Sequence, residues 1–447
     1  MKHNLYSAIW GIILISCQST CKMEPKKQLS RPNVILILAD DIGFECLSIN
    51  GSISYKTPVL DSLALNGINF TKAISQPLCT PSRVKIMTGK FNYKNYEHFT
   101  YLNPREKTFG NLFKENGYKT AIVGKWQLNG IEHQLEGYDD NTRPHHFGFE
   151  EYSLWQLTKV KKYGERFANP LIEENGKFLP RDKNSYGPDI VSNYAINFIK
   201  RNKEHPFFLY YPMLLVHGPF VPTPDSPEWE SLETRSKKDD RFFNDMVSYM
   251  DKIIGKIVNE LKMQGIAENT LLLFVGDNGT FTSLVTQTEK GPVRGGKGNT
   301  ITHGNHVPLI ANWPDKIKKP ISYSGLINFT DFYATFSNIL GVHNESDGTS
   351  MMDVFTNEIT AERTIATSYY DPMWSPKVTQ FRNVYSQDSR YKLYKNGDFF
   401  DMECDILETK PLKDENLDED QKRIKAKLTT ELAAFPSLPK FSFVRGK

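Results

Sequence analysis

Asn33-Val-Ile-Leu-Ile-Leu-Ala39 is apolar at almost every position and ends in Asp40-Asp41; Thr270-Leu-Leu-Leu-Phe-Val-Gly276 repeats the pattern before Asp277-Asn278-Gly279. A run that is apolar throughout, with no alternation, belongs to a strand buried on both faces, as in a parallel sheet covered by helices. Two further apolar stretches end in polar groups: Tyr118 to Val123 before Gly124-Lys125-Trp126, and Pro206 to Val216 before His217-Gly218-Pro219. Open sheets of this kind build their sites at the carboxyl ends of the strands. Helical patterns run from Lys107 to Asn116, Ile190 to Asn202 and Asp239 to Gln264, the first and last stopped by Gly117 and Gly265. The predicted fold is α/β, a large mostly parallel central sheet flanked by helices. The stretch 129–186, rich in tyrosine, glycine and proline, reads as loops that cover the sheet edge.

After Gly341 the texture changes. Thr379 to Ser386, Tyr391 to Lys395 and Asp398 to Met402 read as short strands, with Lys395-Asn-Gly-Asp398 as a hairpin turn. Leu417 to Leu432 reads as a helix with a charged, solvated face. The expectation is a smaller C-terminal antiparallel sheet plus helix over 346–447, beside a catalytic domain over 31–345.

Adjacent carboxylates at the end of a buried strand repel one another, and a hard divalent cation relieves this. Asp40, Asp41, Asp277 and Asn278 offer oxygen ligands that suit calcium or magnesium; taken alone, Asp277-Asn278-Gly279 also reads as a cap or turn. A second block, Pro77-Leu-Cys-Thr-Pro-Ser-Arg-Val-Lys-Ile-Met-Thr-Gly89, opens a helix at Pro81 and Ser82 and closes it at Gly89. Cys79 then faces free N–H groups at a helix N-terminus with Arg83 one turn on, a reactive sulfur in an anion pocket. A lone cysteine there would read as a buried structural thiol.

Cys-x-Pro-Ser-Arg with the trailing Thr88-Gly89 resembles, at each fixed position, the signature of the type I sulfatases of the alkaline phosphatase-like superfamily. Gly124-Lys125-Trp126-Gln127-Leu128, His217-Gly-Pro219 and Gly295-Gly-Lys297-Gly298 with Pro308 resemble further segments of that family; each has a bland reading alone, a solvated lysine or a weak phosphate-loop mimic. The resemblance implies a sulfuric ester hydrolase acting on a sulfated polysaccharide or oligosaccharide. It implies formylglycine made from Cys79 by a formylglycine-generating enzyme, and calcium on Asp40, Asp41, Asp277, Asn278 and residue 79. Arg83, Lys125, His217 and Lys297 would be catalytic, the last three also holding substrate, with His217, alone or with Lys297, protonating the departing oxygen. The alternatives are a formylglycine-dependent phosphodiesterase or phosphonate monoester hydrolase, and a sulfated-glycan-binding pseudoenzyme.

Two departures from the family pattern stand out. Gln127 replaces a histidine; as a substrate-binding residue glutamine can hydrogen-bond there but cannot shuttle a proton near neutral pH. Thr302-His303-Gly304-Asn305-His306 stands where Glu-Gly-Gly-x-Arg is common; the two imidazoles either belong to local structure or line the substrate entrance. Trp155, Trp229 and Trp374 either pack or stack on sugar rings.

The chain of 447 residues carries a formal charge of only +3, which gives no argument for nucleic acid as a partner. Residues 1–16 read as a bacterial signal peptide, and Leu14-Ile-Ser-Cys17 as a lipobox with lipidation at Cys17, followed by a lysine-rich tether to residue 30. An ordinary secretory signal is the alternative. The expected location is periplasm or cell surface, with a lipid anchor as the only membrane contact. Cys21, Cys46 and Cys404 show no paired spacing, hence no disulfide framework and no zinc pattern.

Overall fold

Val34, Ile35, Leu36, Ile37 and Leu38 are all completely buried at the centre of an 11-stranded sheet. The computed structural model describes residue 1 and residues 31–160, 165–359 and 362–440. Beyond Met1, the expected signal peptide, Cys17 and the expected tether up to residue 30 lie outside the described residues. In chain order the strands are β1 (Asn33–Ala39), β2 (Ile68–Ile74), β3 (Lys119–Lys125), β4 (Glu151–Trp155), β5 (Ile172–Glu174), β6 (Lys177–Phe178), β7 (Phe207–Pro212) and β8 (Thr270–Gly276). They continue with β9 (Val285–Thr288), β10 (Gly291–Arg294), β11 (His306–Asn312), β12 (Ile321–Tyr323) and β13 (Ile327–Asn328). The spatial order is β12-β2-β11-β8-β1-β7-β3-β4-β5-β6, with β13 beside β2, while β9 and β10 form a separate ribbon.

β1 is parallel to both neighbours, Leu36 lying opposite Tyr210 on one side and Leu273 on the other. Its side chains alternate between two cores. Ile35, Ile37 and Ala39 pack with the helices Gly187–Asn202 and Phe242–Met263. Val34, Leu36 and Leu38 pack with Cys79–Thr88, Phe109–Glu115 and Asp331–Leu340. This explains why neither polar alternation nor a solvent face was visible in the run. Burial of each such side chain contributes about 1.5–3 kcal/mol as an upper figure.

The stretch 129–186 is not only a cover of loops. It contains β4, parallel to β3, and β5 and β6, which extend the sheet in antiparallel fashion. Glu151 and Ser153 break the apolar pattern of β4, and Ser153 is satisfied by Glu174 Oε1 at 2.8 Å. With the antiparallel pairings of β11 to β2 and β8, the sheet is mixed towards both edges and mostly parallel at its centre.

A second sheet of four antiparallel strands, β14 (Ala366–Tyr370), β15 (Asn383–Gln387), β16 (Tyr391–Tyr394) and β17 (Phe399–Asp401), lies in the C-terminal part. Leu428 and Leu432 of the helix Glu419–Ala433 pack against Tyr369, Leu393 and Phe399 of this sheet. Asp418 and Gln421 close a reciprocal capping box at that helix start. The first strand had no sequence expectation, and the predicted run from Thr379 begins instead with a short helix, Pro376–Thr379. Pro32–Lys447 forms one compact unit.

Candidate active site

The strand register brings the polar ends together. Asp277 N–H donates to Ala39 O at 2.9 Å, and Asp40 exchanges backbone bonds with Leu215 O and Val216 N–H at 2.9 and 2.8 Å. Asp40, Asp41, Asp277 and Asn278 are thereby all fully buried at one sheet edge, with His217 beside them. Asp41 sits in the left-handed region at φ 61°, its N–H on Asp277 Oδ1 at 3.0 Å. Strain of that kind collects at functional sites. Oxygens of Asp40 and Asp277 and the Cys79 sulfur lie within 4.8 Å of one another.

Cys79 is the first residue of its helix, and Gly89, at φ 67°, closes it with N–H on Lys85 O at 2.9 Å. A Cβ at Gly89 would come within 2.5 Å of Tyr333 Cβ. Ser82 turns its hydroxyl back onto Gln76 N–H and Gln76 O, both at 3.0 Å, fixing the approach to the cysteine. The sulfur does not behave as the helix end alone would suggest. Burial pushes the Cys79 thiol up despite the opposing effect of Lys125 and Lys297, so it is held protonated.

Arg83, almost fully buried, reaches Asp277 Oδ2 through Nε and Nη2 at 3.3 and 3.2 Å, and Lys125 O through Nη1 at 3.2 Å. Lys125, at the end of β3, donates to both Asp40 oxygens at 3.0 and 2.8 Å. Burial opposes ionisation of Asp40, but Lys125, His217, Arg83 and Arg166 hold its carboxyl well below the usual range. Asp277 goes the other way: burial and the charge of Asp40 push it up to about 7. Three buried carboxylates in contact leave one that resists ionisation, which is the electrostatic demand a divalent cation satisfies. Asn278 donates Nδ2 to Asp41 Oδ1 at 2.8 Å, while its own buried Oδ1 has no hydrogen-bond partner among the described residues. An oxygen-only set with one orphaned amide oxygen fits a hard cation.

Lys297 lies on a loop held by Lys297 N–H on Thr280 O at 3.0 Å and Gly298 N–H on Pro77 O at 2.8 Å. Its ammonium donates to Asp41 Oδ2, and to His217 Nε2 at 3.0 Å. His217 Nδ1 lies 2.6 Å from Gly218 O, an acceptor, so the proton is on Nδ1 and Nε2 is a bare lone pair. Burial pushes His217 down to about 3, against the pull of Asp41. Lys297 is shifted upward: burial works against its charge, but Asp41 outweighs it. Lys297 therefore donates, and His217 Nε2 is its acceptor and brace. The sequence allows His217 alone or with Lys297 as the proton donor, and the 3.0 Å contact joins the two.

The sulfatase family model matches residues 32–342. The chain belongs to the sulfatase family. It is similar to an N-acetylgalactosamine-6-O-sulfatase of Bacteroides thetaiotaomicron, at 28% identity over 74% of this chain and 77% of that protein. Human N-acetylgalactosamine-6-sulfatase is 29% identical over 71% of this chain and 63% of its own length. Among solved structures, Ps i-CgsB gives a TM-score of 0.72 at 26% identity, over 90% of this chain and 92% of that one. BT4656 in complex with its substrate D-glucosamine-2-N,6-O-disulfate gives 0.71 at 22% identity over 90% and 97%, a likeness of fold.

Other residues singled out in this sulfatase fall in different places. Gln127, at φ 54°, lines a small cavity with Thr100, Asn129, Gly130 and Gln156. Thr100 N–H is tied to Thr80 Oγ1 at 3.2 Å, next to Cys79. His303 and His306 are both partly buried. His306 Nε2 is committed to Thr71 O at 2.8 Å with its ring stacked on Phe44, and the buried His303 Nδ1 has no hydrogen-bond partner among the described residues. The contacts of His306 are those of local structure. Trp155 is 2% exposed and carries a guanidinium, and Trp229 packs edge-on to Tyr186. Trp374, 36% exposed, stacks on Phe99 at 4.2 Å, and Phe99 packs with Cys79.

One site residue had no sequence signal. Arg166, between β4 and β5, reaches to 3.7 Å from Asp40 Oδ2. It lies in a stretch without a motif, and only the closure of β4 beside β3 brings it to the strand ends.

Proposed function

We propose that this sulfatase removes sulfate from a sulfated carbohydrate, using residue 79 matured from cysteine to formylglycine and calcium held by Asp40, Asp41, Asp277 and Asn278. The observation that carries this reading is Cys79, a thiol kept protonated by burial yet set beside the carboxylates of Asp40 and Asp277 and the cations that pair with this acidic cluster. A protonated thiol is a poor nucleophile. The same position becomes useful as an aldehyde hydrate, which supplies one hydroxyl to attack sulfur and a second to release sulfate. Calcium, when bound, adds positive charge where the ester oxygens gain negative charge.

The chain's own groups supply the rest. Arg83 is locked by Asp277 and Lys125 O, so it cannot swing and instead fixes the helix end that bears residue 79. Lys125 is a fully buried cation set for the sulfuryl oxygens. Lys297, braced by His217 Nε2 and Asp41, holds the proton for the departing sugar oxygen.

The carbohydrate substrate is supported by the names of the relatives above. The basic start, apolar run and lipobox support export and lipid attachment at Cys17, and the Cys79 block supports a formylglycine-generating enzyme as a maturation partner. Replacing Cys17 with alanine would then release the protein from membranes in fractionation.

The deciding experiment measures sulfate release from a panel of defined sulfated oligosaccharides, 6-O-sulfated N-acetylgalactosamine included, with mass spectrometry of the peptide carrying residue 79. Release by the converted protein and none by Cys79→Ala is expected. Full conversion without release from any glycan, or faster turnover of phosphonate or phosphate esters, would overturn the reading.

A further inference from the structure

Arg166 is 6% exposed, and its guanidinium lies over the Trp155 ring at 4.1 Å. Nη1 stops 3.7 Å short of Asp40 Oδ2, and neither Nη1 nor Nε makes a hydrogen bond among the described residues. Asp40 does not need it, because Lys125 already donates to both of its oxygens. The other charged or polar groups that act on Arg166 are Asp41, Cys79 and Glu165. A buried cation with free donors is costly, and a well-made counter-ion would have closed to hydrogen-bond distance.

The segment is nevertheless firmly placed. A Cβ at Gly187 would sit 1.9 Å from Arg166 O, so the start of the Gly187–Asn202 helix packs directly on this backbone. Gly187 N–H also holds Phe167 O at 2.9 Å. Stacking on Trp155 fixes the plane of the guanidinium, leaving its fork directed at the strand ends where Asp40 and Cys79 meet.

Resting on the sulfatase reading above, we infer that Arg166 is a further sulfuryl-binding residue, donating from its free N–H groups to the peripheral oxygens of the ester sulfate. A planar fork suits a tetrahedral oxyanion, and a donor placed before reaction needs no reorganisation as charge develops. This assigns Arg166 to the group being cleaved, not to a second acidic substituent on the sugar.

The test compares the mature enzyme with Arg166→Met and Arg166→Lys. Arg166→Met is expected to lower kcat/KM by about 100-fold and to weaken inhibition by inorganic sulfate about tenfold. Arg166→Lys, which keeps the charge but loses the fork, should fall between. The loss should be equal on an aryl sulfate carrying one negative charge and on a sulfated sugar that also bears a carboxylate. Wild-type kcat/KM and sulfate inhibition in both variants would overturn the inference, as would a loss confined to the doubly charged substrate. Should Arg166→Met not fold, Arg166→Lys decides by the same readouts. If the wild type releases sulfate from no ester, the sulfatase reading fails on its own. Calorimetric binding of inorganic sulfate still judges Arg166 in that case: weaker binding by the variant supports the inference and equal binding overturns it.

Discussion

Lys392 Nζ donates to Thr300 O at 2.8 Å, so a strand of the small C-terminal sheet grips the loop that carries Lys297. The lysine is completely buried and paired with Glu408 Oε1 at 2.6 Å. Tyr394 Oη adds a bond to Thr300 Oγ1 at 3.1 Å, and Tyr370 Oη one to Gly298 O at 3.1 Å. The second sheet therefore sets the position of a residue in the first sheet's site.

Removing that grip should separate stability from turnover. Lys392→Met strands Glu408 in a dry setting and should cost about 3–5 kcal/mol in a denaturant titration. Tyr370→Phe loses one hydrogen bond, about 1 kcal/mol. Small misplacements of catalytic groups are expensive, so its kcat should nonetheless drop about tenfold. A Tyr370→Phe enzyme with normal kcat would mean the loop holds itself.

Lys297→Met removes the proton source while leaving His217 neutral. Sugar sulfates, whose departing oxygen needs a proton, should lose about 10²–10⁴ in kcat/KM. Aryl sulfates with an acidic phenol should lose far less. An equal loss on both would show that Lys297 acts only as a charge.

The pH profile follows from the same pair. With its folded value near 3, His217 stays neutral from about pH 4 upward, so kcat/KM should show no break at the ordinary histidine value of about 6.5. Lys297 is shifted upward, so its proton should persist beyond the ordinary lysine range. An acid limb near pH 6.5 that disappears in His217→Gln would contradict this assignment.

Much of this architecture could be read from the chain because burial on both faces leaves an unmistakable pattern. β1 and β8 are apolar after their first residues, Asn33 and Thr270, and their acidic ends meet because the strands are register neighbours. β2 and β11 were not foreseen. Asn69, Thr71 and Lys72 interrupt the first, and Pro308 with a register shift interrupts the second. Arg166 was invisible for a different reason: its place depends on β4 closing beside β3, a long-range pairing with no local mark. His217 was legible as a site residue but not in its protonation, since only the contact with Gly218 O fixes its tautomer.

Calcium binding should release a proton near neutrality. In the metal-free protein, burial and Asp40 hold Asp277 up at about 7, so below that pH the cation must displace a proton to bind. Affinity should therefore climb as pH rises to about 7 and then level off. Calorimetry in two buffers of different ionisation enthalpy reads this directly. Binding at 100 times the dissociation constant should also stabilise the protein by about 2.7 kcal/mol. Proton-neutral binding at pH 6 would argue that Asp277 is not a ligand.

Gln127 poses the last test, because attack and release place different demands on the site. The first half of the reaction, reported by kcat/KM, needs the cations and Lys297, none of which Gln127 touches in the hydrogen bonds seen here; its N–H goes to Gln156 O at 3.3 Å. The second half needs a base to take a proton from residue 79, and an amide cannot serve. Sulfate release should then limit turnover, and rapid mixing should show a burst of the alcohol product. Gln127→His introduces a titrating ring beside Thr100, whose N–H is held by Thr80. It should raise kcat about tenfold and shrink the burst, with kcat/KM unchanged. If the wild type shows no burst and the variant no gain, another group already acts as the base and the glutamine is no handicap.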